Sequence, residues 1–470
     1  MTWNDALVAA QWFFFIYFVA INLAYLAQNA LAMLEIPKHI ETRLLDLLPR
    51  AYSPYETPVS IIVPAYNEEL TIAASVRSLL QLDYPEFEVI VVNDGSRDGT
   101  LQALLTEFGM VPYPEAYWRQ IACAPVRSIY RSTKFPNLRV VDKENGGGKA
   151  DAVNAGINAA RYPLFCCVDA DGILERGSLR RVVTPFLQDP HVIASGGTVR
   201  IANGCEVRSG FLEKVHLPSN LLALCQIVEY LRAFLFGRLG WSALNAVLII
   251  SGAFGVFRKD VVVAAGGYRH DAIGEDMELV TRLHLIHRLA GKPYRIVFLP
   301  DPICWTEAPE SLKVLKSQRT RWQRGLGQSL LLNRALLWHP RGGAPGWLAF
   351  PFMIVFEWLS PLIEVGGYVF MALGFASGII SAAAFWTFLL LAFSLGTLLS
   401  MSAILLEEVS YHVYHERGDL LKLALVAVIE NFGYRQLATL WRLQGLWQWV
   451  TGTGGGWGQM TRIANWQKGS

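Results

Sequence analysis

The chain has 470 residues, 53% of them hydrophobic, and its 41 Lys and Arg nearly balance 39 Asp and Glu for a formal charge of +2. That balance points to no polyanionic partner, so no nucleic acid is expected, and the length leaves either several soluble domains or one domain joined to a membrane region. The six cysteines show no C-x-x-C pairing, which excludes a cysteine metal site and fits reduced, buried thiols.

Gln11 to Leu34 runs 24 residues without a charge, enough to cross a hydrocarbon core of about 30 Å at about 1.5 Å per residue. The run is longer than the apolar core of a signal peptide, and residues 1 to 10 contain Asp5 but no Lys or Arg, so a membrane helix over 1–36 is expected. A mixed-charge linker, 37–57, follows. From Pro58, strand-like and helix-like runs alternate: Val59–Val63, Glu69–Leu80, Glu88–Val92 and Leu101–Phe108. Further strands are expected at Leu138–Val141, Leu164–Val168, Val192–Ser195 and Arg295–Phe298. The rhythm predicts a parallel α/β sheet, with functional loops at the carboxyl ends of its strands. Residues 109–137 read as an insert. The apolar stretch 220–250 carries Glu229, Arg232 and Arg238 and is either a membrane-apposed helix against the core or a buried core helix.

From Lys313 to Arg341 seven cations occur without an acid. They precede a second apolar block, so the positive-inside rule places the middle domain in the cytoplasm and the amino terminus outside. Membrane segments are expected at Gly346–Ser377 and Ile379–Leu406, and a shorter one at Leu420 to about Leu437 spans, re-enters or lies in the interface. Counting all of these as spans places the carboxyl terminus outside, whereas Arg435, Arg442, Arg462 and Lys468 favour inside. The expected division is a membrane helix (1–36), linker (37–57), α/β domain (58–310), amphipathic interface helices (311–345), a second membrane region (346–450) and a tail (451–470).

Four polar clusters stand at the places where such a sheet carries chemistry. Asp94, in the turn Asn93-Asp94-Gly95-Ser96, accepts hydrogen bonds from a base or ribose, or serves as a β-turn residue. Asp169 and Asp171 flank Ala170 at a strand end and present hard oxygens to a Mg2+ or Mn2+ ion bridging a diphosphate, or form a surface turn. Glu275 and Asp276 begin a helix, where acids also favour capping and the dipole; the chemical reading makes one of them a base for an acceptor hydroxyl. Gln318, Arg321 and Trp322 combine an amide, a guanidinium that grips diphosphate and a ring that stacks on a sugar, or belong to a basic interfacial helix. The glycines before Lys149 do not form a P-loop, because Ala150 stands where a Ser or Thr would meet magnesium. Glu357 and Glu364 share a helical face and meet either sugar hydroxyls or another helix.

Taken together, Pro64-Ala65-Tyr66-Asn67-Glu68, Asp94-Gly95-Ser96, the glycine run to Lys149, Asp169-Ala170-Asp171, Gly274-Glu275-Asp276 and Gln318-x-x-Arg321-Trp322 resemble the membrane-bound, inverting family 2 glycosyltransferases. Among these the likeness is strongest to bacterial poly-β-1,6-N-acetylglucosamine synthases and related N-acetylglucosaminyltransferases, with cellulose, chitin and hyaluronan synthases more distant. It covers roughly residues 58 to 340. The resemblance implies a GT-A (Rossmann-like) fold joined to transmembrane helices, a UDP-sugar donor, first choice UDP-N-acetylglucosamine, and a polysaccharide or lipid acceptor. It implies that Asp276 is the general base, with Glu275 beside it and near the acceptor. Donor contacts fall to Pro64, Tyr66, Glu68, Asp94, Lys149, Asp169, Asp171, Gln318 and Arg321, acceptor contacts to Trp322, and the metal to Asp171 and Asp169. The expected setting is the inner membrane of a bacterium, with a polymer passed through the bilayer and an unidentified export partner. Single-sugar transfer to a lipid or oligosaccharide, and an inactive export scaffold, are the alternatives.

Overall fold

β1 (Val59–Ala65) is buried along almost its whole length, as a strand covered on both faces must be. In the computed structural model, which describes residues 3–46, 56–208, 210–416 and 418–453, helix α1 (Trp3–Asp46) precedes it. α1 continues past residue 36 into the expected linker; no glycine interrupts that stretch, and Pro37 is accommodated within the helix. The rest of that linker, 47–55, and the tail from 454 lie outside the described residues.

After β1 come α2 (Ile72–Leu79), β2 (Phe87–Asp94), α3 (Thr100–Glu107), β3 (Met110–Pro112), β4 (Val126–Ser132), β5 (Leu138–Lys143), α4 (Lys149–Ala159), β6 (Leu164–Val168) and β7 (Ile173–Leu174). Then follow α5 (Ser178–Gln188), β8 (Val192–Ile201), β9 (Glu206–Arg208), β10 (Phe211–Lys214), α6 (Leu221–Leu231), α7 (Leu239–Ala243), β11 (Phe254–Arg258), α8 (Lys259–Ala264), α9 (Glu275–Ala290), β12 (Arg295–Thr306) and α10 (Leu312–Leu332). Ten strands form one mixed sheet in the order β3-β4-β5-β2-β1-β6-β11-β8-β12-β7, and β9 pairs with β10 apart from it. β5, β2, β1 and β6 run parallel, with Ala65 beside Asn93 and Asp94 beside Lys143. Their carboxyl ends therefore open on one edge. The insert 109–137 supplies β3 and β4, which extend the sheet, β4 antiparallel to β5 and β3 antiparallel to β4.

The stretch 220–250 forms α6, a π-helical segment Arg232–Arg238 and α7. Cys225, Ile227, Val228, Leu231 and Leu235 are buried, because this segment is wedged between β8 and the membrane helices. The second membrane region starts with a largely π-helical stretch, Pro345–Trp358, that contains α11 (Phe350–Phe352) and bends by 44° into α12 (Ser360–Ala376). α13 (Ala382–Ser410) follows. Two helices, Leu7–Pro37 within α1 and α13, are long and apolar enough to cross a membrane, and the bent pair makes a third if counted as one span. The segment 420–437 is not one helix: α14 (Asp419–Ile429) stops and α15 (Tyr434–Thr451) begins after Gly433, whose φ of 106° ends the first helical path. α15 packs along α10.

Candidate active site

The carboxyl ends of β1, β2 and β6 and the amino end of α9 meet around one cavity of about 2170 Å³. Pro64, Tyr66, Glu68, Asp94, Lys149, Asp169, Asp171, Glu275, Asp276, Gln318, Arg321 and Trp322 all line it. The expected site residues, scattered over the sequence, thus share one enclosure.

At the carboxyl ends of the parallel strands, the turn after β1 is held to the turn after β2. Asn67 N donates to Ser96 Oγ at 3.1 Å, Glu68 N to Thr100 Oγ1 at 2.8 Å, and Arg97 N to Asn67 Oδ1 at 2.9 Å. Asp94 is buried, and its Oδ1 accepts from Lys143 Nζ and, at 3.1 Å, from Gly146 N. It therefore anchors the glycine loop. Lys143, fully buried, also pairs with Asp151 at 2.6 Å. That Asp94–Lys143–Asp151 chain was not legible beforehand, since a lysine at the end of a strand reads as a solvent-facing residue.

Lys149 opens α4 and donates to Asp169 Oδ1 and, at 2.7 Å, to Gly252 O. Burial alone would lower the pKa of its ammonium; the Asp169 carboxylate outweighs it, and the pKa is raised. Gly252 N in turn donates to Asp276 Oδ2 at 3.0 Å, and Met277 N to Asp276 Oδ1 at 2.8 Å. One strip of backbone links the aspartate pair to the proposed base. Glu275 is buried, and burial first, then the neighbouring Asp276 charge, push its carboxyl up to about 7.

Among the described residues no group of three or more His, Cys, Asp or Glu is placed to hold a metal. Asp169 and Asp171 alone fit an ion that takes one or two carboxylates from the protein and its remaining oxygens from a bound diphosphate and water, as Mg2+ does. Their position on the cavity wall leaves room for such a diphosphate.

α10 supplies a further part of the wall. Gln318 is buried, and its Oε1 has no hydrogen-bond partner among the described residues, which leaves a polar atom on the cavity wall for a ligand to satisfy. Trp322 is exposed to the cavity, and the Arg319 guanidinium stands 4.5 Å from its ring centroid. Arg319 pairs with Glu229 at 2.8 Å, and the Tyr434 hydroxyl donates to the same Glu229 oxygen at 2.6 Å. Sequence reasoning missed Arg319 and Arg238; the latter lines the cavity with its guanidinium 3.9 Å from the Phe234 ring centroid and Nη1 without a partner among the described residues. The recurring charges within an apolar run were the signal available for Arg238.

Residues 60–110 match the family model Glycosyl transferase family 2, and residues 123–325 match Glycosyltransferase like family 2. The chain carries a family 2 glycosyltransferase domain. The transferase domain is 30% identical over 274 residues to a poly-beta-1,6-N-acetyl-D-glucosamine synthase of Staphylococcus epidermidis. It is 31% identical over 276 residues to the protein of that name in Staphylococcus aureus strain COL. Each match covers 58% of this chain and 55% of the relative, so the likeness spans about half of the relatives' length. A solved mannosyltransferase of Pyrobaculum calidifontis, in complex with GDP-Man and Mn2+, superimposes with a TM-score of 0.55 at 19% identity, covering 93% of this chain and 100% of that one. At that identity the likeness establishes the GT-A-like fold of the transferase domain.

Beyond Trp322 the cavity continues between membrane helices, bounded by Phe14 and Tyr17 of α1, Tyr368 of α12, Phe388 of α13 and Arg435 of α15. The acids in this part are paired. Glu357 accepts from Tyr25 Oη at 2.6 Å and pairs with Arg442 at 3.0 Å, Glu364 accepts from Ser360 and, at 3.0 Å, from Thr439, and Glu430 meets Arg232, Arg435 and Ser400.

Proposed function

We propose that the transferase domain, residues 58–310, moves a sugar from a UDP-sugar, first UDP-N-acetylglucosamine, to the end of a growing β-linked polysaccharide. The observation that carries this reading is the continuity of the cavity from Asp169 and Asp276, past Trp322, into the membrane helices. Its volume of about 2170 Å³ is at least twice the 300–1,000 Å³ of a typical small-molecule pocket. That leaves space for a donor and several acceptor sugars together, and the names of the staphylococcal relatives support a polymer of N-acetylglucosamine.

In this reading the loops after β1 and β2 hold the uridine, with Asp94 shaping the glycine loop that ends at Lys149. Gln318 and Arg321 meet the diphosphate, and Trp322 stacks on the acceptor sugar. Asp276 takes the acceptor hydroxyl proton as that oxygen bonds to the anomeric carbon and the bond from this carbon to the diphosphate oxygen breaks. UDP leaves, and one displacement turns an α-linked donor into a β-linked product. Mg2+ or Mn2+ held by Asp171 and Asp169 would neutralise charge on the departing diphosphate. The domain faces the cytoplasm of a bacterial inner membrane, and the product leaves between α1, α12 and α13.

Binding of a panel of UDP-sugars to purified Asp276→Asn protein with Mn2+ tests the donor assignment. UDP-N-acetylglucosamine binding at least tenfold tighter than UDP-glucose supports it; equal affinity for all donors, or no binding of UDP itself, contradicts it.

A further inference from the structure

The loop between α10 and the bent span carries features that sugar transfer does not use. Trp338 has a φ of 50° and is 60% exposed. A bulky aromatic residue in that region is an outlier, and the surrounding structure must hold it there. It does so: Trp338 N donates to Gly346 O at 3.1 Å, Gly342 N to His339 O at 2.7 Å, and Trp347 Nε1 to the same His339 carbonyl at 2.8 Å. Trp347 is 51% exposed beside it. Strain that turns an indole outward gains nothing in water. It gains a favourable environment at a membrane interface, where indole rings settle at headgroup depth.

The position agrees, because Pro345–Trp358, the first arm of the bent candidate span, starts within this loop. The charge agrees as well. Arg334, Arg341 and, at the adjoining end of α9, Lys292 are exposed, and none forms an ion pair with a carboxylate among the described residues. Arg341 Nη1 donates to Leu289 O at 3.1 Å, fastening the loop to that helix end. From Leu312 to Leu348 the chain contains no Asp or Glu, so nothing on the loop or α10 offsets these cations.

We propose that this face is a docking site for anionic phospholipid, with Trp338 and Trp347 at the acyl boundary and Arg334, Arg341 and Lys292 on lipid phosphates. The charge distribution selects an anionic headgroup over a zwitterionic one, and the paired indoles select a bilayer over free phosphate.

The test uses full-length protein in nanodiscs of phosphatidylcholine with and without phosphatidylglycerol. The native cysteines are all buried, so a nitroxide on Leu331→Cys reports on this face alone. The label is expected to relax more strongly with dissolved oxygen, which concentrates in the bilayer, than with a water-soluble nickel chelate. Phosphatidylglycerol retained after detergent extraction is expected to fall several-fold in Arg334→Gln/Arg341→Gln/Lys292→Gln, at an unchanged unfolding midpoint. Relaxation dominated by the nickel chelate, or equal phosphatidylglycerol retention by the folded triple variant, overturns the proposal.

Discussion

Asp276 is oriented by two backbone amides, Gly252 N and Met277 N, while the Glu275 carboxyl beside it is buried. Glu275 therefore takes up its proton near pH 7. Because protonating Glu275 removes the charge beside Asp276, transfer should fall as pH drops through about 7, above the ordinary glutamate pKa of about 4.3. Profiles of kcat/KM against pH for the wild type and Glu275→Gln check this: the acid limb of the variant should move down by at least one pH unit, and an unmoved limb assigns the titration elsewhere. Lys143 makes a structural demand. Held between Asp94 and Asp151 with no solvent exposure, it leaves uncompensated buried charge when removed, so Lys143→Met should cost about 3–5 kcal/mol of stability, measured by denaturant unfolding in detergent. The acids at the ends of β2 and β6 and at the start of α9 were readable because each follows a strand or opens a helix. Lys143, which holds Asp94, was not, since its partners are distant in sequence and only the closed sheet brings them together.

Glycines set the distances of α10 from its neighbours. A Cβ on Gly325 would stand 3.1 Å from Gly274 N, at the entrance to α9, and a Cβ on Gly445 of α15 would stand 2.7 Å from Thr320 O. Gly327 likewise admits the indole of Trp358. α10 is thus fitted between α9, the bent span and α15, and any bulk at these points moves Gln318, Arg321 and Trp322 away from Asp276. Gly325→Val should lower transfer at least tenfold while costing about 1–3 kcal/mol; assays of UDP binding and product formation separate the two effects, and full activity would show that the spacing is unimportant. The parallel strands were legible as apolar runs because burial on both faces leaves no polar alternation. The break before α15 was not, because Glu430, Asn431 and Arg435 suit a span end, a re-entrant segment and an interfacial helix alike, and the backbone angle of Gly433 shows the turn.

Across the molecule, one enclosure joins the transferase domain to helices able to span a bilayer, and its polar wall there is internally paired. Breaking one partner of the Glu357–Arg442 pair should destabilise the protein more than replacing both, because the single change leaves a half-buried charge without its partner. Unfolding of Arg442→Met, Glu357→Leu and the double variant gives the coupling directly, and additive losses would mean that the pair is not coupled. The apolar blocks announced a membrane region, yet the inward facing of these charges follows from packing and not from hydropathy.

Polymer growth on a single protein molecule is the central expectation. Full-length protein in nanodiscs, given radiolabelled UDP-N-acetylglucosamine and Mn2+, should release UDP in step with the growth of a high-molecular-weight product, and Asp276→Asn should form none while still binding UDP. UDP release that requires an added lipid or oligosaccharide, with a single sugar incorporated per acceptor, would contradict it.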